Sequence, residues 1–265
     1  MYALQDFFGA LQDIRAWSYL AMKQIQFDYR RNLLGTGWIV LSFALTSGGL
    51  GWLLAQLQGR SIPEHVTYVA FGFAVWNFIL PCVNEGCTAL TRNRSLLLQS
   101  PIGRSGFIFS LVLKKLYLLG FNLTTAIVLA FILGWRPSMT MIAILPGILV
   151  LTYTAVGTVL TFAVIGTVLR DFTELVAAIM RLAFFFTPII WYANARFDRV
   201  GDDSPLSLLA RYNPFSHFIE IVRGGALGYW PAWESWLITL GIGTLALIIG
   251  LGVLQWLGRR LVFWL

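Results

Sequence analysis

Trp236–Leu257 reads W-L-I-T-L-G-I-G-T-L-A-L-I-I-G-L-G-V-L-Q-W-L, an apolar run without one charged residue. A bilayer core of about 30 Å takes about 20 such residues as a helix. This stretch therefore reads as a membrane span, and the rest of the chain repeats the pattern. Further windows run over Trp38–Leu57, Val66–Val83, Leu116–Trp135, Met139–Leu169 (with Pro146 inside it) and Leu175–Tyr192. The pattern predicts an all-α integral membrane protein with six transmembrane helices. Four stretches follow: an interface segment over 1–35, five spans over 38–192, a more polar segment over 193–235, and the last span over 236–257.

Composition agrees. The 265 residues are 58% hydrophobic and 12% charged, against about 45–50% and 25% in soluble domains. Too little charge is present to cover a water-soluble globule of this size, which excludes a soluble enzyme, a disordered regulator and a secreted disulfide scaffold. The formal charge of +7 marks cytoplasmic helix ends and not a nucleic-acid partner. Cys82 and Cys87 stand five apart, so one helix points them to different faces. They read as small apolar fillers.

Basic residues orient the spans. Arg15, Lys23, Arg30, Arg31, Arg92, Arg94, Arg104, Lys114, Lys115, Arg170, Arg259 and Arg260 fall before the first span, in the even loops and after the last. The other side has Arg60, Arg136, Arg196, Arg199, Arg211 and Arg223, about half as many, so both termini are expected in the cytoplasm. The first 30 residues lack the apolar core of a cleavable signal peptide. Phe7, Leu11, Ile14, Ala21, Ile25 and Tyr29 recur near helical spacing, which predicts an amphipathic helix along the inner interface with Trp17 and Tyr19 near headgroup level. Between Ala193 and Ser235, Asn213-Pro214 marks a helix start and Gly224-Gly225 a stop. Short re-entrant helices on the outer side are expected there, covered by protein or lining a cavity.

Catalytic signatures are missing. No G-x-x-x-x-G-K-[ST], H-E-x-x-H or G-x-S-x-G occurs, and the chain is read as a conduit and not an enzyme, with no metal of its own. Arg181 falls inside the fifth span, in A-I-M-R-L-A-F-F-F. A charge there costs at least ~2.5–3.5 kcal/mol, so it should face a wet cavity, a bundle interior or an acid such as Asp171 or Glu85. It is a candidate contact for an anionic headgroup. Phe184, Phe185, Phe186, Trp191 and Tyr192 cluster at the outer half of that span, as a sugar path or as packing and interfacial belt. The loop T-R-N-R-S-L-L-L-Q-S-P-I-G-R from Thr91 has bases flanking a leucine run, which reads as a short amphipathic helix for a cytosolic partner or as an ordinary positive-inside loop.

Several stretches together carry a resemblance. They are Y-R-R-N-L-L-G-T-G-W (Tyr29–Trp38), Y-V-A-F-G-F-A-V-W-N-F (Tyr68–Phe78) and N-R-S-L-L-L-Q-S-P (Asn93–Pro101). R-D-F-T-E-L through F-F-F-T-P-I-I-W (Arg170–Trp191) and Y-N-P-F-S-H-F-I-E-I-V-R-G-G-A-L-G (Tyr212–Gly228) complete the set. In this order the chain resembles permease subunits of ABC exporters for lipid-linked polysaccharides, the O-antigen, capsule and teichoic-acid branch. The resemblance implies a homodimer in the bacterial inner membrane. Each protomer would dock a cytosolic ATPase subunit, two copies in all, through Arg92, Asn93, Arg94, Ser95, Leu96, Leu97, Leu98 and Pro101. ATP and Mg would then belong to that partner, with no cofactor on this chain. Asn213, Pro214, His217, Glu220 and Arg223 would form a periplasmic gate, and the channel would run between protomers along the first and fifth helices. Arg30, Arg31, Trp38 and Arg181 are the candidates for the headgroup of a polyprenyl-type lipid-linked glycan; Arg181 matches no family motif and stands on membrane physics alone. The first span lacks an early proline common in relatives and has Gly48, Gly49 and Gly51, which allow close helix approach. The alternatives are an ABC permease for a small drug or lipid, and an integral-membrane transferase acting on polyprenyl-linked sugars.

Overall fold

The computed structural model describes residues 2–30, 33–99, 103–169, 171–192 and 205–258. Arg31 and Pro101 lie outside them, as does the side chain of Leu98. Every regular element among the described residues is a helix. In order these are α1 (Tyr2–Gln12), α2 (Ile14–Tyr29), α3 (Gly37–Gln58), α4 (Ile62–Cys87), α5 (Ala89–Arg92), α6 (Arg94–Gln99) and α7 (Arg104–Ile132). After a 3-10 turn at Met139–Ala143 come α8 (Ile144–Val168), α9 (Asp171–Phe186), α10 (Pro205–Tyr212), α11 (Pro214–Ala226) and α12 (Trp233–Leu257). Five are long and apolar enough to cross a membrane: α3, α4, α7, α12, and α8 with its leading 3-10 turn. The molecule is a helical, multi-pass membrane protein.

α4 is the hub. Its apolar window is 83% buried inside the bundle, against 22% for α12, so α4 meets protein on nearly all sides while α12 faces outward along most of its length. The closest pair is α8 with α12. Thr154 Oγ1 donates to the Thr239 carbonyl at 3.1 Å, and Thr161 Oγ1, two turns on, donates to Ala246 at 2.6 Å. Between them a Cβ on Gly157 would lie 2.7 Å from the Gly243 carbonyl. Small residues let the two backbones touch, and in lipid that contact and those hydrogen bonds substitute for a hydrophobic driving force. On α3 the close approach falls to Gly51, against Val66 of α4, whereas Gly48 and Gly49 face open space.

Three expectations change. The amino-terminal segment is two helices, broken at Asp13, and it docks on the bundle. Asp6 of α1 caps the start of α7: its Oδ1 accepts from Arg104 N at 3.0 Å and its Oδ2 from Ser105 N at 2.9 Å. A carboxylate there satisfies orphan N–H groups and suits the positive end of the helix. Ala3 N donates to Gln255 Oε1 of α12 at 2.8 Å, so α1 and the end of α12 share one end of the bundle, here the near end. Leu11 and Ile14, expected on the apolar stripe, are exposed, while Ala21 and Ile25 are buried.

Second, α7 starts at Arg104 and not near Leu116, so Lys114 and Lys115 are helical and buried, not loop residues. Their ammonium groups find acids, as buried charges must. Lys114 pairs with Asp28 at 2.6 Å and Lys115 with Glu85 at 2.5 Å.

Third, the window Leu175–Tyr192 is not one helix. α9 has 16 residues, about 24 Å at 1.5 Å per residue. It ends before Thr187-Pro188 because the residue preceding a proline is driven out of helical geometry.

Candidate functional site

At the far end, two proline motifs hold each other. Asn213 accepts from Phe215 N at 2.9 Å, capping α11, and its amide donates to the Phe186 carbonyl and to Thr187 Oγ1, both at 3.0 Å. One side chain therefore caps the start of α11 and the end of α9. Two more carbonyls of the last turn of α9 are met. Thr187 Oγ1 donates to Ala183 at 2.6 Å, and Trp191 Nε1 to Phe185 at 3.1 Å. Pro188 receives Arg223 Nη1 at 2.6 Å and the Tyr68 hydroxyl at 3.2 Å. Backbone that leaves regular helix needs such partners wherever protein shields it from water.

Arg223 is the centre of this latch. It is 1% exposed, lies 3.9 Å over the Tyr68 ring, and pairs with Glu220 one turn earlier at 3.4 Å. Tyr229 hydrogen-bonds the same Glu220, and burial followed by that carboxylate pushes its phenol upward. The expected gate residues thus lie together, and Arg223 is sealed in protein. His217 bridges Ser235 Oγ and the Arg211 carbonyl, each at 2.9 Å, while Pro214 starts α11. The far carbonyls of α11 are held by Trp135 and Thr140. Tyr192 is buried, its ring 4.0 Å from that of Tyr68 and 4.3 Å beneath Arg60. Beside it His65 is fully buried, with no hydrogen-bond partner on either ring nitrogen.

The five aromatic candidates divide. Phe184 turns inward on Phe73 and Trp76, and Tyr192 is inside. Trp191 is half-buried. Phe185 and Phe186 are exposed, with Leu175, Ile179 and Leu182. Arg181 is exposed among them. Glu85, one acid proposed for it, is taken by Lys115. Only Val176 and Met180 of α9 are buried, and a nearly apolar cavity of about 270 Å³ lies behind it, lined by Ile79, Val83, Phe162, Val176, Met180 and Phe215 among others. α9 is the most loosely seated of the long elements.

At the near end, the leucine-basic loop forms two short pieces. α5 is anchored by Ala89 and Leu90, both buried, against α7 and α8. Asn93 breaks the run, its amide donating to the Ala89 carbonyl at 2.8 Å. Beyond it Arg94, Ser95 and Leu96 are exposed, as is Arg92, while Leu97 tucks back on the core. Beneath α5 a polar cavity of about 200 Å³ reaches Asp28, Glu85, Arg92 and Lys114. Arg30 and Trp38 are exposed, and Tyr29 lies nearby.

A second polar feature was not foreseen. A groove of about 520 Å³ runs between α3, α4 and α7 from Tyr29 to Asn122, past Ser42, Thr46, Asn77, Asn84 and Glu85. The signal was present in the sequence, as asparagines inside apolar windows, but windowed hydropathy averages them away.

No known protein-family model matches the chain, and no curated protein matches it.

Proposed function

We propose that this chain is the membrane subunit of an ATP-driven exporter of a lipid-linked polysaccharide, working as a homodimer beneath which two copies of a separate ATPase sit. The observation that carries the reading is the α5–α6 arm. One side of it is fixed under α7 and α8 by Ala89 and Leu90, and the other offers Arg92, Arg94, Ser95 and Leu96 to the surroundings. An arm anchored on one side and bare on the other suits a rigid coupling lever for a soluble partner.

The near end is then cytoplasmic. α9 with the stretch Thr187–Tyr192 makes a sixth crossing, since that stretch carries the chain from the end of α9 to Arg60 and His65 at the far end. α10 and α11 re-enter from the outside. Arg181 and the exposed apolar face of α9 face the second copy across a wet path, which relieves the charge of a direct encounter with lipid. Arg30, Arg31 and Arg181 receive the anionic headgroup. ATP drives the cycle only through a difference in how the two states of the bundle bind the two states of the ATPase.

The test is cross-linking in cells that also express a candidate ATPase encoded beside this gene. A cysteine at exposed Leu96 is expected to join the ATPase, and a cysteine at lipid-facing Leu245 is not. Absence of any adduct from Leu96, with the complex otherwise purified intact, sinks the docking role.

A further inference from the structure

We infer that the groove between α3, α4 and α7 is a binding site for a neutral sugar ring; the inference rests on the export reading only for where the sugar comes from. The groove holds about 520 Å³, within the ~300–1,000 Å³ of small-molecule sites. Its chemistry is specific. Asn77 and Asn84 from α4 and Asn122 from α7 are each donor and acceptor at once, the pattern that matches vicinal hydroxyls. Ser42 and Thr46 add hydroxyl oxygens from α3 as acceptors, their protons being given to the Trp38 and Ser42 carbonyls, and Glu85 adds a carboxylate at one end. Phe43 and Phe73 supply apolar faces for the C–H side of a ring.

Two features leave hydrogen-bonding capacity along this wall that the helices do not fill by themselves. Asn84 Oδ1 is buried and has no hydrogen-bond partner. Pro81, also lining the groove, has no N–H to offer the carbonyl of Asn77 one turn earlier. Bare polar groups cost free energy in a membrane protein, and those retained mark a ligand path.

The charge pattern selects the ligand. No lysine or arginine lines the groove among the described residues. Lys115 is spent on Glu85 from behind and is itself buried. A phosphate would meet a carboxylate and no cation, so the site takes the uncharged glycosyl part of a glycolipid and leaves the phosphate to cations elsewhere.

The purified chain in lipid nanodiscs, without ATPase, is photolabelled with an alkyl glucoside bearing a diazirine and, separately, with the matching alkyl phosphate. Labelled peptides are mapped by mass spectrometry. The glucoside is expected to mark α4 around Asn77–Asn84 and α7 near Asn122. Asn84→Leu and Asn122→Leu should each cut that labelling about threefold to tenfold, the loss of one hydrogen bond. Thr46→Val, isosteric and on an exposed position, should weaken it in the same direction without threatening the fold. Glucoside labelling that is confined to other surfaces, that is indifferent to all three substitutions, or that is matched by the phosphate overturns the inference. Because neither ATPase nor transport enters the assay, labelling in the groove by a chain that proves unable to export would keep the site and discard only the export reading.

Discussion

Arg223 has its charge locked between Glu220, Tyr68 and the Pro188 carbonyl, and is itself buried. Removing one partner of a buried charged set leaves the others uncompensated. Arg223→Met should therefore destabilise the protein by about 3 kcal/mol, read as a lower unfolding midpoint in detergent, and Arg223→Lys should rescue little because an ammonium lacks the planar fork. A midpoint unchanged by the Met variant would remove Arg223 from the fold's supports. The sequence made this residue visible as part of an Asn-Pro segment, but its burial was not legible. Its partners come from α4 and from the break after α9, and no local pattern reports them. Arg181 is the opposite case. Its position on an apolar helix marked it at once, and exposure, not pairing, is what the fold gives it. Under the export reading, Arg181→Met slows transport by about tenfold, or ~1.4 kcal/mol; full-rate export by that variant would strike it from the path.

Elements were legible where hydrophobicity ran unbroken, as in α12, and illegible where a buried charge hid inside a helix. Lys114 and Lys115 pushed the expected start of α7 a dozen or so residues too late, because hydropathy counts a lysine as solvent-facing whether or not an acid waits for it. The break at Thr187-Pro188 was in plain view, and the apolar residues on both sides concealed it. Packing between elements leaves sharper tests. Gly157→Val forces α8 off α12 and should cost about 1–3 kcal/mol through overpacking, measured as the same midpoint. Gly48→Ala on α3, facing open space, should leave it in place; equal losses at the two sites would refute the close-contact account. Asp6→Ala removes a cap worth about 1 kcal/mol and should loosen α1 from α7. Limited proteolysis before Gln12 is expected to quicken, and unchanged cleavage would show that the remaining ties of α1, Ala3 to Gln255 and Phe7 to Phe109, hold it without the cap.

For the whole molecule, the exposed faces of α3 and α9 matter most. They flank α4 from two sides, and both carry large apolar residues outward, Trp52 and Leu53 on one, Ile179 and Leu182 on the other. Class and membrane character were readable from composition alone. How the near end is tied together was not, since Asp6, Asp28 and Glu85 each pair with α7 residues 30 to 99 positions away. That tie has a practical reach. Because Ala3 and Gln255 bond directly, the start of α1 and the last turn of α12 meet at one end of the bundle. A peptide linker of modest length between those two points would close a ring, and new openings placed in the turn at Gly59 or Gly134 would yield permuted proteins whose tails emerge at the other end of the bundle. Fluorophores attached beside Ala3 and Gln255 would transfer energy efficiently, giving a ruler for whether α1 lifts away as the molecule works.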